Sequence, residues 1–293
     1  MMIDEFLNYL KYEQNCSPLT VKSYAEDLKA FETYFKNLDG QLSWESVDSD
    51  VIRDWMESMM DKGNNATSIN RRLSALRSLF RFALAHHLVE KDPSRALRGP
   101  KVGKPLPQFV KETEMNRLLD DLPWGDSYQE VRARTILLTF YATGMRLAEL
   151  IGLDDSAIDF ANRQLKVTGK RNKQRIIPFG EELEAALTLY LNTRESQVSG
   201  QTEALFRTDK GERMNRNQVR YEVKKYLSCV CTLKKRTPHV LRHTFATAML
   251  NHDAGIESVK KLLGHESLST TEIYTHTTFE QLKRVYTNAH PRA

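Results

Sequence analysis

The sequence predicts a mainly α-helical chain of two domains, with a small antiparallel β-sheet interrupting the helices of the second. Three observations lead there. Apolar residues recur at three- and four-residue spacing along most of the 293 residues. Three short strand-like runs, separated by turn-rich segments, fall between residues 157 and 178. A stretch rich in Pro, Gly and basic residues at 98–108 divides the chain, whose length already suggests two domains at roughly 150 residues each. With 40% hydrophobic and 28% charged residues, the composition is that of a folded globular protein and excludes a disordered one.

Residues 1–97 read as four helices. Val21, Tyr24, Leu28, Phe31 and Phe35 recur after Ser17-Pro18. Val51, Trp55 and Met59 form a second stripe, ended by Gly63. Ile69, Leu73, Leu76, Phe80 and Ala83 form another. Opposite that last stripe lie Thr67, Asn70, Arg71, Ser74, Arg77, Ser78 and Arg81, a face without one carboxylate, which suits phosphate contacts and groove entry. Residues 98–108 read as a linker, and its basic residues place it near the same anion. Residues 109–293 open with helices at Glu112–Leu122 and Tyr128–Tyr141. Strands follow at Ala157–Phe160, Gln164–Thr168 and Arg175–Pro178. Helices resume at Glu181–Thr193, Asn215–Val230, Pro238–Asn251, Ile256–Leu263, Thr270–Tyr274 and Phe279–Ala289.

Charge is divided unevenly. Residues 1–97 hold 12 basic and 15 acidic residues, and residues 98–293 hold 31 and 23, so −3 and +8 make the net +5. No acid separates Asp159 from Glu181, where Arg163, Lys166, Lys170, Arg171, Lys173 and Arg175 fall. Arg216, Arg220 and Lys224 recur every four residues on one helix face. Such runs favour nucleic acid over a membrane surface, because no amphipathic helix pairs a Lys-rich face with Trp or Phe. No apolar stretch approaches the ~20 residues of a membrane span. The start, with Asp4 and Glu5, lacks the order of a signal peptide, and Cys16, Cys229 and Cys231 make no disulfide framework. A cytoplasmic protein is the expectation.

Several polar residues sit where helices begin or end. Arg146 follows Gly144, which suits a helix break. Thr237-Pro238 reads as an N-cap and first helical position, placing His239 and Arg242 on one face beside free backbone N–H groups. Gly264 reads as a helix C-cap before His265, and Ser269-Thr270-Thr271-Glu272 as a capping box for a helix carrying Tyr274. His239 and His243 have the four-residue spacing of zinc ligands on a helix. Val240 stands where a zinc protease needs Glu, and Arg242 between them repels a cation, so no metal is expected. Arginines, a lysine, histidines and a tyrosine, without a carboxylate pair, Cys nucleophile or P-loop, suit an anionic phosphoryl transition state. Arginine grips non-bridging oxygens, histidine handles a proton, lysine protonates a leaving oxygen and tyrosine attacks phosphorus. Neither ATP nor Mg²⁺ is needed for that exchange, so no cofactor is expected.

Ala142–Leu150, Gly169–Arg175, His239–Thr247, Leu263-Gly264-His265 and Ile273–His276 resemble, in order, the signature of the tyrosine recombinases. Ser17–Leu28 is similar to the start of that family's N-terminal SAM-like core-binding domain, and the His290-Pro291-Arg292-Ala293 ending resembles the Xer group, its XerC branch in particular. The resemblance implies an α+β catalytic domain with Arg146, Lys170, His239, Arg242 and His265 as catalytic residues and Tyr274 as nucleophile. Lys170, directly after Gly169, takes the place of the general acid, leaving Lys173 as a phosphate contact or a solvated residue. The acid-free face already marks Arg71, Arg77 and Arg81 as DNA contacts, and the resemblance turns Arg216, Arg220 and Lys224, either a solvated stripe or a groove-facing one, toward DNA. The resemblance also implies a clamp round duplex DNA and docking of the tail bearing Phe279, Leu282, Val285 and Tyr286 into a neighbour. The partner would be a XerD-like recombinase in a cyclic heterotetramer at a chromosome-dimer resolution site. A mobile-element integrase or invertase, and a DNA-binding regulator without catalysis, are the alternatives. An intact set of six residues speaks against the regulator.

Overall fold

The computed structural model describes residues 2–38, 43–103, 106–169, 172–200, 202–264 and 276–293, with 276–278 described for their backbone alone. The chain divides into two compact units, Met1–Pro105 and Leu106–Ala293. No helix among the described residues is long and apolar enough to cross a membrane.

In the first unit, α1 (Met2–Asn8) runs into a π-helical turn at Tyr9–Glu13 and is followed by α2 (Pro18–Leu38), α3 (Ser49–Asp61) and α4 (Ala66–Ala85). Caps fix where α3 and α4 begin. Asp48 accepts the backbone N–H groups of Asp50 and Val51, both at 2.9 Å, and Asn65 accepts that of Ser68 at 2.9 Å. Gly63 takes φ +74°, closed to most side chains, and so ends α3 sharply. The expected stripes face inward: Leu28, Phe31, Trp55, Met59, Leu73, Leu76 and Phe80 are buried together with Phe6, Val51 is partly buried against them, and Ile52 beside it is buried though the stripe does not include it; Trp55 meets Phe31 edge-on at 4.9 Å.

The second unit holds α5 (Glu112–Asn116), which continues as a π turn at Arg117–Asp121, then α6 (Tyr128–Thr143) and α7 (Leu147–Ile151). A 3₁₀ turn at Asp155–Ala157 leads into β1 (Ile158–Asp159), β2 (Gln164–Thr168) and β3 (Gln174–Pro178). There follow α8 (Glu181–Gln197), α9 (Arg216–Val230), α10 (Pro238–Asn251), α11 (Ile256–Leu263) and α12 (His276–Ala289). The sheet is antiparallel in the order β1-β2-β3, with Val167 opposite Arg175 and Thr168 opposite Gln174. The first strand is shorter than its sequence suggests because the 3₁₀ turn takes Ala157, and α7 is an element the periodicity does not announce. The expected helix at Thr270–Tyr274 lies outside the described residues.

Helix α6 is the axis of this unit and is buried nearly all round. Its threonines fit there because Thr135, Thr139 and Thr143 each donate the hydroxyl to the carbonyl four residues back, at 2.8, 2.7 and 2.6 Å. Arg132 on α6 holds Glu222 on α9 (Nη2–Oε1 2.7 Å), which sets the rotation of α9 and turns its basic face outward. Leu282 and Tyr286 of α12 are buried with Phe245, Met249, Val259, Leu262 and Leu263 of the same chain, with Val285 packed alongside. Leu282, Val285 and Tyr286 of the tail are therefore covered in cis.

Candidate active site

The site forms where α6 and α11 end. Gly144 closes α6 at φ +59° and Gly264 closes α11 at φ +65°, both left-handed. The last carbonyls of these helices lack helical N–H partners. Arginines take them. Arg242, on α10 and buried, donates to Gly144 O at 2.8 Å and to Leu263 O at 2.7 Å. Arg175, on β3 and buried, donates Nε to Leu262 O at 3.0 Å. Arg146 donates Nη2 to Gly264 O at 3.2 Å while 40% of its side chain stays exposed.

One carboxylate gathers these charges. Glu149, the third residue of α7, accepts both Nη atoms of Arg175, at 2.7 and 3.0 Å, and Nη1 of Arg146 at 2.9 Å. It also accepts the Arg146 backbone N–H at 2.7 Å, which starts α7. Burial alone would push the Glu149 carboxyl up, but the hydrogen bonds and charge of Arg175, with those of Arg146, bring it below the usual carboxylate range. Arg242 is held down to about 10, first by burial and then by the charges of Arg146 and Arg175, with Glu149 opposing. It keeps its charge at neutral pH, and among the described residues no carboxylate pairs with it.

His239 stands at the N-terminus of α10. Pro238 occupies the first helical position as expected, but Thr237, though extended at the N-cap, makes no side-chain capping bond. By area the His239 ring is exposed, yet the protein behind it desolvates it. That desolvation, then the charges of His243, Arg242, Arg220 and Arg146, hold its pKa below the ordinary histidine value. His239, Arg146, Arg220 and Arg242 thus share one electrostatic neighbourhood. Lys170, His265 and Tyr274 lie outside the described residues, as does Arg171. Between β2 and β3 the Gly169 N–H donates to Lys173 O at 2.7 Å, and a Cβ on Gly169 would lie 3.3 Å from Glu149 Oε1. The start of this hairpin turn therefore sits against the arginine cluster.

The expected DNA contacts separate into two kinds. Arg216, Arg220 and Lys224 are exposed on α9, Arg81 is exposed on α4, and Lys173 is exposed in the hairpin. Arg71 and Arg77 are engaged within the first unit. Arg71 pairs with buried Asp27 and with Ser23, and Arg77 donates to the carbonyls of Leu97 and, at 3.5 Å, Ser94. Asn70 of the same face holds Pro100 O at 2.8 Å, so the start of the 98–108 segment lies on α4. An acid-free helix face is here partly a carbonyl- and carboxylate-binding face for its own chain.

Glu149 and Arg175 are site residues that the sequence pattern does not single out. The signal for Glu149 is its place three residues after Arg146, a capping-box spacing. The signal for Arg175 is its register: it takes the inward position opposite Val167, where an apolar residue is the norm.

A sequence model described as the phage integrase family matches residues 108–281, and one described as the phage integrase N-terminal SAM-like domain matches residues 3–87. The chain is 36% identical to tyrosine recombinase XerC of Chlorobaculum tepidum, over 99% of this chain and 94% of that protein. It is 35% identical to tyrosine recombinase XerD of Staphylococcus epidermidis, over 100% and 99%. Among solved structures, XerH site-specific recombinase bound to palindromic difH substrate shares the fold with a TM-score of 0.73 at 22% identity, over 96% of this chain and 83% of that one. A lambda integrase dimer bound to a COC′ core site gives 0.68 at 19% identity, over 93% and 98%.

Proposed function

Since the chain belongs to the phage integrase family and is a tyrosine recombinase, an enzyme of site-specific DNA recombination, we propose that it acts as a Xer recombinase in chromosome-dimer resolution. The full-length likeness to both XerC and XerD relatives supports this. So does the division into two compact units matched by the two domains of that family. In this reading residues 1–97 and 109–293, joined by 98–108, clamp a duplex target site. A homologous XerD-like recombinase completes a cyclic heterotetramer on DNA in the cytoplasm.

The chemistry proposed is transesterification. Tyr274 Oη attacks the scissile phosphorus, its proton passing to a histidine, and the 5′-oxygen leaves with a proton from Lys170. The product is a 3′-phosphotyrosyl bond and a free 5′-hydroxyl, which attacks in reverse to reseal exchanged strands through a Holliday junction. Arg146 and Arg242 hold the non-bridging oxygens, with His239 and His265 beside them. A phenolate (pKa ~10) is a good enough leaving group that the bond energy is conserved. Loss of either arginine is expected to slow cleavage by ~10²–10³-fold.

The observation that carries this reading is the meeting of Arg242 and Arg146, 96 positions apart in sequence, at the ends of two helices with Arg146 half-exposed. The test is incubation with a nicked suicide duplex in EDTA. The expected result is a covalent protein–DNA adduct that survives SDS and is lost in Tyr274→Phe. An adduct formed by Y274F, or one abolished by EDTA, overturns the mechanism.

A further inference from the structure

Whatever fixes the last turn of α6 also fixes the carbonyl that receives Arg242. Tyr141 lies in that turn, where carbonyls have no helical N–H partner. The Met145 N–H turns to Thr143 Oγ1 at 3.3 Å. Tyr141 O is satisfied by His290 Nε2, which donates at 3.1 Å from a residue 149 positions further along the chain. His290 is 5% exposed. Its ring stacks on Tyr286 (5.2 Å, 13°) and Phe245 (5.5 Å, 28°) and meets Tyr141 edge-on (5.1 Å, 60°). Phe245 in turn fills the space beside Gly144, where a Cβ would lie 2.5 Å from its Cδ1.

The ring is held in one state. His290 Nδ1 accepts the Arg292 N–H at 3.1 Å, so the single ring proton is on Nε2 and points at Tyr141 O. Burial pushes its pKa down to about 4, so it stays neutral under working conditions. Arg292 anchors the segment, donating to Asp120 Oδ1 at 3.0 Å, Glu182 Oε1 at 2.6 Å and Asn116 Oδ1 at 2.9 Å. A histidine in an apolar cluster is often only filler. This one joins, by a hydrogen bond and a ring contact to Tyr141 of α6 and a ring contact to Phe245 of α10, the helix whose end receives Arg242 and the helix that carries it.

We propose that His290 is a positioning residue for DNA cleavage, capping the last turn of α6 and bracing Phe245 of α10 so that Arg242 keeps its grip on Gly144 O beside the phosphate site. The proposal rests on the reading of Arg242 as a phosphate-gripping residue.

The test compares full-length wild type, His290→Gln, His290→Asn and Arg242→Ala in single-turnover cleavage. The probe is a nicked suicide duplex, its site selected by the wild-type protein from a randomised pool. Gln places an amide donor where Nε2 stands; Asn keeps a polar group near Nδ1 and has no donor that far out. Rates are taken at saturating DNA and normalised to DNA-binding-competent protein. The expected result for H290N is a cleavage rate ~10–100-fold lower, as for a displaced reactive geometry, with DNA affinity within about twofold of wild type. H290Q is expected to stay within about threefold of wild type in rate. The milder R292K, which loosens the anchor and leaves the ring untouched, should show the same split at smaller size. H290N cleaving at the wild-type rate overturns the proposal, and so does H290Q as slow as H290N, or a loss seen in affinity alone. R242A at the wild-type rate overturns the underlying site reading instead.

Discussion

Glu149 and Arg175 form a parallel two-bond ion pair, Nη1–Oε1 at 2.7 Å and Nη2–Oε2 at 3.0 Å, and both side chains are buried. With the two bonds from Arg146, this carboxylate accepts four hydrogen bonds from the described residues. It ties α7, β3 and the residue before α7 into one unit, and offsets part of the positive charge of the arginine cluster.

Removing that carboxylate strands a buried guanidinium. Glu149→Ala is expected to lower stability by ~3–5 kcal/mol, the penalty of breaking a buried pair from one side. Urea denaturation of wild type and variant measures it, and a difference within about 1 kcal/mol would contradict the burial argument.

The same group sets an acid limit. The Glu149 carboxyl lies below its ordinary 4.5 in the fold. A carboxyl depressed by folding contributes stability that is fully present above its unfolded pKa and is lost as pH falls through its folded one. Melting temperature should therefore decline below pH 4.5, and the decline should be shallower in Glu149→Gln. Equal slopes in thermal melts across that range would remove Glu149 as the cause.

Gly144 has no room for a methyl group. Its φ of +59° costs a substituted residue ~1–2 kcal/mol. A Cβ there would lie 2.5 Å from Phe245 Cδ1 and 2.8 Å from Leu263 Cδ2, overpacking that typically costs ~1–3 kcal/mol. Gly144→Ala should melt several degrees lower and lose cleavage activity, because the shift displaces the carbonyl that holds Arg242.

Two arginines on one helix face should behave oppositely. Arg77→Ala frees the carbonyls of Leu97 and Ser94 and should destabilise the first unit by ~1–3 kcal/mol. Arg81→Ala should leave stability unchanged, weaken DNA binding and lower the salt slope by about 1. Denaturation curves and binding at several salt concentrations separate the two, and a stability loss in R81A would count against its being a DNA contact.

His239 is depressed partly by neighbouring positive charge, so removing one such charge should raise it. NMR titration of the free protein is expected to place its midpoint below 6.5 in wild type and nearer 6.5 in Arg220→Ala. An unmoved midpoint would show that Arg220 is not among the charges that depress the ring.

Much of the fold is legible in the sequence because its signals are local. The stripes of α2, α3 and α4, the turn at Gly63, the Pro238 start of α10 and the Gly264 end of α11 each follow from a few neighbouring residues. Helix α7 is not legible, since five residues give no periodicity and its start depends on the Arg146–Glu149 contact. The inward side chain of Arg175 depends on strand register, and the partners of Arg71 and Arg77 depend on tertiary packing. The acid-free face of α4 thus reads as a DNA surface throughout, whereas two of its arginines are occupied within the chain. Charge pattern tells which residues face away from the core; it does not tell which backbone carbonyls wait for them.

The arginine cluster doubles as terminal hardware for two helices. Arg242 closes the ends of both α6 and α11, and Arg175 serves Leu262 O. A descendant of this chain that abandoned strand cleavage and kept only its DNA-holding role could not shed these guanidiniums freely, because they would still be needed to keep the helices finished. These guanidiniums therefore serve two duties at once: they finish the helices, and through the 40% of the Arg146 side chain that stays exposed they present charge to an anion.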